Sequence, residues 1–145
     1  MANIVPDSFK TDLLGGVFDF DSGGSTFKLA LYTSLASFST STAAYTVTNE
    51  VSSSGTNYTA GGNTLTNNGV AISSNIAYVD FADLTFSSVT LSADGALIYK
   101  DTTNEAVLVL DFGGTRQRLT EISLFNSQLL IHLMRSLDLA THNSI

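Results

Sequence analysis

Carboxylates and histidines are the residues of this chain whose types and spacing could support chemistry. Asp19 and Asp21 precede a glycine pair, so alternate carboxylates could face one cation as in a calcium loop. The twelfth position of such a loop, where a bidentate Glu is needed, holds Ala30. We therefore interpret this segment as a solvated hairpin turn and not as a metal site.

A second carboxylate pair, Asp80 and Asp83, lies in a strand predicted over residues 76–84. A spacing of three places the two side chains on opposite faces of a strand, where they cannot act together as acid and base without a bend. Charges that discourage aggregation at the edge of a sheet are the simpler interpretation.

Neither histidine, His132 or His142, has a histidine partner at ligand spacing, and the chain has no cysteine. A serine hydrolase would need one of the two as its base. Four glycine pairs begin at Gly15, Gly23, Gly61 and Gly113. A phosphate loop needs a Lys and a Ser or Thr after its glycines, and these pairs lack that pattern. We predict turns at all four pairs. We therefore assign no catalytic, cofactor-binding or metal-binding residue, and we expect no enzyme activity and no cofactor.

The charge balance argues against nucleic acid as a partner. Only six of 145 residues are Lys or Arg and the net charge is −7, whereas nucleic-acid binding requires clustered basic residues. No apolar stretch reaches the length of a transmembrane helix, so we expect no membrane partner. The lack of cysteine excludes disulfides.

Short alternating runs separated by polar turns predict an all-β domain, either a β-sandwich or a jelly-roll-like barrel of seven or eight strands. One short helix is expected over Asp7–Leu14, with Asp7 as a cap and Gly15-Gly16 as its end. Polar loops are expected over 34–44 and 49–62, the latter too polar for a core element. Val17, Phe18 and Phe20 are expected to begin a hairpin whose second strand, at 26–33, is half-buried. A brief strand is expected at 45–48. Further strands are expected at 64–66, 76–84, 89–92, 96–99 and 106–112, with 102–105 as the turn of the last hairpin.

The last thirty residues differ from the rest. All eleven glycines precede Arg116, whereas both histidines and three of the six basic residues lie in the tail, which is rich in leucine. We therefore divide the chain into a β domain, residues 1–115, and an anomalous tail, residues 116–145. The tail is either a helical appendage, with an amphipathic helix over 119–139, or the product of a shifted reading frame.

Seven segments of the β domain together carry a resemblance to a known family. They are IVPDSFKTDLL (4–14), TFKLALYTS (26–34), TNEV (48–51), YTAGG (58–62) ahead of Leu65, VDFAD (79–83), GALIY (95–99) and NEAVLVLDFG (104–113). These segments resemble a family of small virion structural proteins from tailed bacteriophages, especially marine ones. The resemblance covers residues 1–115 and implies a non-enzymatic β domain that binds a capsid or tail lattice.

The resemblance implies that the Asp-Phe-Gly strand is followed by a glycine turn and a further strand, ending near a Pro-Ala-Ala-Asp segment. The chain departs from this pattern after Thr115. Codons compatible with residues 116–135 can be translated in the neighbouring frame to restore a turn, an alternating strand and such an ending. Without that strand, the 106–112 strand or its neighbour is expected to have an open edge.

From the resemblance we expect a capsid decoration or cement protein, located in the virion, whose partners are the major capsid protein or tail proteins and further copies of itself. One alternative is a tail or fibre component that binds host glycans. A carbohydrate-active or carbohydrate-binding domain is a third, weakened by the absence of tryptophan as a sugar-stacking platform.

The nucleotide sequence across the Thr115 codon tests the origin of the tail. We expect a neighbouring frame that encodes the restored turn and strand. A gene in which only the present frame gives such a continuous sequence would contradict the frameshift and leave the helical appendage.

Overall fold

The computed structural model of the protein describes residues 3–86 and 91–117. The described part is an all-β, sandwich-like domain with one short N-terminal helix, as the sequence predicts. Its elements in chain order are α1 (Asp7–Leu14), β1 (Phe27–Tyr32), β2 (Asn63–Thr64), β3 (Asn67–Ser73), β4 (Ile76–Phe81), β5 (Ser92–Lys100) and β6 (Ala106–Gln117). The predicted tail helix over 119–139 and part of the predicted 89–92 strand lie outside the described residues.

Helix α1 has the predicted bounds but not the predicted cap. Pro6, in extended conformation, occupies the cap position without a side-chain hydrogen bond, and Asp7 instead pairs with Lys10 at 2.9 Å. At the other end, Gly16 has φ of +76°, and the amides of Gly16 and Val17 donate to the carbonyls of Leu13 and Asp12. This is a Schellman arrangement, and it explains why the glycine pair ends the helix.

Four antiparallel strands form the main sheet in the order β2-β1-β5-β6. The prediction that β1 is half-buried is wrong, because β1 lies between two neighbours and both of its faces are covered. Phe27, Leu29 and Leu31 contribute to one hydrophobic cluster, whereas Ala30 and Tyr32 contribute to another on the opposite face. The sheet is therefore the middle layer of the domain.

The larger cluster is aromatic, and helix α1, the 17–20 segment and β4 contribute to it. The Phe20 and Phe27 rings stack at 4.7 Å between centroids, and Phe81 meets Phe27 edge-on at 5.6 Å. Residues 17–20 are not a strand, so the hairpin predicted before β1 is wrong. Their phenylalanines fill the core from an irregular segment.

The second sheet is a two-stranded ribbon of β3 and β4. Ser74 and Asn75 connect the strands with φ of 50° and 65°, which is the left-handed pair that a tight two-residue hairpin needs. The sequence predicted a strand at 76–84 but no strand at 67–73, and β4 ends earlier than predicted, at Phe81.

Three other details correct the sequence predictions. Residues 45–48 form no strand, and the described residues contain six strands. Gly113 and Gly114 are not a turn between elements: they bulge within β6, where Asp111 pairs with Gly95 and Arg116 with Ala93. Strand β6 therefore continues to Gln117, two residues beyond Thr115.

The outer edge of β6 is covered over part of its length by the beginning of the chain. Ile4 and Val109 exchange two backbone hydrogen bonds of 2.9 Å, and the Asn3 side chain accepts from the Asp111 amide. The Ala106 amide donates to the Ala43 carbonyl at 3.0 Å. This part of the edge, predicted to be open, thus has partners within the domain.

Replacing Gly62 by Ala tests how closely the 51–62 loop approaches the main sheet. A Cβ at Gly62 would lie 1.8 Å from the Leu29 carbonyl oxygen, whereas a Cβ at Gly55 would meet nothing within 4 Å; both glycines have φ between +70° and +80°. We expect Gly55→Ala to cost about 1–2 kcal/mol from backbone strain alone, and Gly62→Ala about 2 kcal/mol more from overpacking. Urea midpoints at unchanged slope measure the difference. Equal losses would contradict the close approach.

Candidate functional site

The structure places Asp19 in a turn that it stabilises itself. Its Oδ1 accepts from the Asp21 amide at 3.0 Å, and its own amide donates to the Ser25 hydroxyl at 3.0 Å. Ala30, which holds the twelfth loop position, is fully buried in β1. The Asp19 carboxylate is thus engaged in turn formation, and residues 3–86 and 91–117 contain no group of three or more His, Cys, Asp or Glu arranged to hold a metal.

The other sequence candidates do not meet in one site. Asp80 lies in β4 and accepts from the Asn68 amide group at 2.9 Å, while Asp83 is exposed beyond the end of that strand. The interpretation that both stand on one strand is therefore wrong. His132 and His142 lie outside the described residues.

The polar side chains with the most hydrogen bonds to one another instead surround Glu50, which lies in the predicted polar loop 49–62. Glu50 is the only charged residue between Lys28 and Asp80. Its half-buried side chain lies against the end of β1, where Glu50 forms an isolated bridge with Tyr32. That single carboxylate in a long uncharged stretch was the available signal.

Three donors form hydrogen bonds to the Glu50 carboxylate. Oε1 accepts from the Tyr58 hydroxyl at 2.8 Å and from the Gly61 amide at 2.6 Å, and Oε2 accepts from the Tyr45 hydroxyl at 2.6 Å. Hydrogen bonds to an ionised acceptor are short and roughly twice as strong as neutral ones. Glu50 thereby ties together two loops, which span residues 33–50 and 51–62.

Tyr58 connects this carboxylate to the sheet. Its hydroxyl oxygen accepts from the Leu31 amide at 2.9 Å, and its proton goes to Glu50. Strand β2 pairs with β1 only at Lys28 and Leu29, so the Tyr58 hydroxyl takes the place of a strand partner at Leu31. The neighbouring backbone groups are also satisfied, since Val51 donates to Leu31 and Thr33 donates to Asn49.

Two further tyrosines fix the same loops through backbone carbonyls. Tyr32 donates to Thr46 at 2.6 Å, and Tyr99 donates to Gly61 at 2.7 Å. The rings of Tyr45 and Tyr99 stack at 4.6 Å between centroids. We name the set Tyr32, Tyr45, Glu50, Tyr58 and Tyr99 the tyrosine–glutamate cluster.

The cluster disfavours ionisation of its phenols. Burial raises the pKa of Tyr58 above its ordinary value, and the hydrogen bond to Glu50 adds to the rise. Burial, followed by the charges of Asp101 and Glu50, raises the pKa of Tyr99 to about 12. A tyrosine acting as a base or nucleophile would need the opposite shift, whereas protonated phenols can donate the hydrogen bonds that hold the loops.

What the cluster holds is an uncharged surface. The 33–50 and 51–62 loops present exposed Ser, Thr and Asn side chains together with Val47, which is 72% exposed. Beyond them along the chain, the β3–β4 ribbon is uncharged as far as Val79. Such a surface can contact another protein without desolvating charges.

No helix in the described residues is both long and apolar enough to cross a membrane. Comparison of the chain with protein-family models, with curated proteins and with solved structures finds no match.

Replacing Tyr58 by Phe tests the link between the cluster and the sheet. We expect Tyr58→Phe to cost about 1–3 kcal/mol, because the buried Leu31 amide loses its acceptor and Glu50 loses a donor. Tyr78→Phe is the matched control, since Tyr78 lies half-exposed on the ribbon, apart from the cluster. Urea denaturation measures both, and equal losses would contradict the link.

The stabilities of Tyr58→Phe and Tyr78→Phe are expected to depend differently on pH. Folded tyrosines with raised pKa hold their protons more tightly than unfolded ones, so their contribution to stability is complete below about pH 10 and declines as the pH rises further. We expect the free energy of unfolding to fall above that pH, less steeply in Tyr58→Phe than in Tyr78→Phe. Parallel profiles for the two variants would count against the raised pKa of Tyr58.

Proposed function

We propose that this chain is a non-enzymatic structural protein of a tailed-bacteriophage virion and that it decorates the outer capsid lattice. The observation that carries the proposal is the otherwise uncharged run from residue 29 to residue 79. Its one carboxylate, Glu50, accepts hydrogen bonds within the domain from Tyr45, Tyr58 and Gly61. A lattice-binding protein needs loops of fixed shape more than reactive groups.

The segments that resemble phage virion proteins support this role through their positions in the fold. TNEV (48–51) contains Glu50, and YTAGG (58–62) contains its partners Tyr58 and Gly61. GALIY (95–99) includes Tyr99, which donates to Gly61. The resemblance thus coincides with the residues that shape the uncharged loops.

The chemistry of the described residues supports a binding role over catalysis. The three acceptor contacts of Glu50 use both oxygens, and the phenols around it are held protonated. The charge of the chain, −7, disfavours nucleic acid as the partner. The partner that fits is a protein surface contacted by hydroxyl and amide side chains and by Val47.

Binding to separated virion parts tests the proposal. Labelled 145-residue protein is sedimented with purified capsid shells and, separately, with purified tails of the phage that encodes it. We expect saturable binding to shells and a copy number in virions comparable with that of the major capsid protein. Binding to tails alone at low copy number would favour a tail or fibre component, and absence from virions would overturn both roles.

A pair of variants tests the surface. We expect Val47→Lys and Val47→Glu each to weaken shell binding at least about tenfold, because a charge of either sign must be desolvated in an uncharged contact. Leu14→Lys and Leu14→Glu are the controls, since Leu14 is 86% exposed on helix α1, outside the uncharged run. Equal weakening at both positions would contradict the assignment of the loops as the contact.

A further inference from the structure

The β3–β4 ribbon has an anchored base and a free tip. At the base, the Asn67 side chain donates to the Phe20 carbonyl at 3.0 Å, and Phe81 packs in the larger hydrophobic cluster. At the tip, Val70, Ile72 and Ile76 are 52%, 72% and 48% exposed. A two-stranded ribbon is at best marginally stable in water without further packing, so the tip lacks the cover that such strands need.

Low charge and an unprotected strand edge occur together at the ribbon tip, which makes it a place where two copies of this chain can meet. The chain has a net charge of −7, so copies repel each other over most approaches. Residues 51–79 carry no charge, and Asp80 stands at the anchored base. Strand β3 also lacks the Lys and Pro residues that usually protect an exposed edge.

The hairpin geometry determines which backbone groups of β3 face outward. With a two-residue turn at Ser74-Asn75, Ser73 and Ile76 form a hydrogen-bonded pair, and bonded and non-bonded pairs then alternate. Ala71 is therefore bonded to β4, whereas the N–H and C=O groups of Val70 and Ile72 point away from it. Within residues 3–86 and 91–117, neither ribbon strand pairs with a further strand.

We propose that a second copy of this chain pairs antiparallel with the free edge of β3, about a twofold axis at Ala71. In this register Val70 of each copy lies opposite Ile72 of the other, and each such pair exchanges two backbone hydrogen bonds. The four side chains then lie side by side on one face, which is the arrangement that stabilises a sheet.

This register follows from the fold of the ribbon. Moving the axis to Val70 would place Ile72 opposite Asn68, where the register shift between Asn67 and Gly69 interrupts the strand. The Gly69 end of β3 also lies close to Ser22, which limits access to the base. Only the Ala71-centred pairing uses both outward-facing residues of the tip.

The dimer is expected to be weak, because a contact of about four residues per copy falls below the standard interface size of about 1,600 Å². Sedimentation velocity of the isolated 145-residue chain from about 1 to about 300 µM spans the dissociation constants expected for such a contact. We expect the mass to rise from 15.3 kDa towards twice that value as the concentration increases.

Ile72→Lys is the test variant and Val47→Lys is its matched control. Both side chains are branched, apolar and 72% exposed, and both substitutions change the net charge equally. We expect Ile72→Lys to weaken self-association at least about tenfold, because lysines on paired edges repel and block pairing, and Val47→Lys to leave it unchanged. Circular dichroism verifies that both variants fold.

Amide hydrogen exchange locates the contact within the chain. We expect the Val70 and Ile72 amides to become protected as the concentration rises, while the Ala71 amide, bonded to β4, is protected at all concentrations. A monomer throughout the concentration range, equal effects of the two lysine variants, or concentration-dependent protection elsewhere would each overturn the proposal. Because these measurements use the isolated chain, they are independent of the proposed capsid role.

Discussion

The Glu50 carboxylate accepts the hydrogen bonds on which the shape of the 33–50 and 51–62 loops depends. Between Lys28 and Asp80 the chain has no other charge. The loops of this stretch bury Leu35, Phe38 and Val51 in the two hydrophobic clusters. Most of their other side chains are Ser, Thr, Asn or Gly, which can be held only by hydrogen bonds. A half-buried ionised acceptor with three donors is stronger than neutral polar contacts, and its position beside β1 joins both loops to the sheet.

The strand edges differ in whether the backbone groups on them have hydrogen-bond partners. Along one edge of β1, strand β2 is followed by Tyr58 and residues 49–51 as the hydrogen-bonding partners. Along the outer edge of β6, Ile4 and Ala43 are the partners. On these edges, backbone groups of Leu31, Thr33, Ala106, Val109 and Asp111 have partners within the domain. The ribbon belongs to the same stretch of sequence, but Val70, Ile72 and Ile76 at its tip are exposed. One stretch of sequence therefore supplies both a fixed loop surface and a free strand edge.

Local signals in the sequence predicted some elements well and missed others for identifiable reasons. Helix α1 is short and bounded by Pro6 and a glycine pair, so its limits follow from backbone stereochemistry alone. Strand β3 was missed because Asn67, Asn68 and Gly69 suggest a turn. In the fold, the Asn67 side chain binds the Phe20 carbonyl, a contact 47 residues away in sequence.

The sequence by itself determined the all-β class, the acidic and uncharged regions and the strands with clear alternation, because these depend on composition and on side-chain periodicity within a few residues. Only the tertiary structure decided that β1 is buried on both faces, that Gly113 bulges within β6, and that Glu50 is a tether and not a solvated loop residue. Each of these depends on which distant segment lies alongside. A hydrogen-bond network made by Tyr45, Glu50, Tyr58 and Gly61 has no local signature, since its partners meet only when two loops fold over the end of a strand.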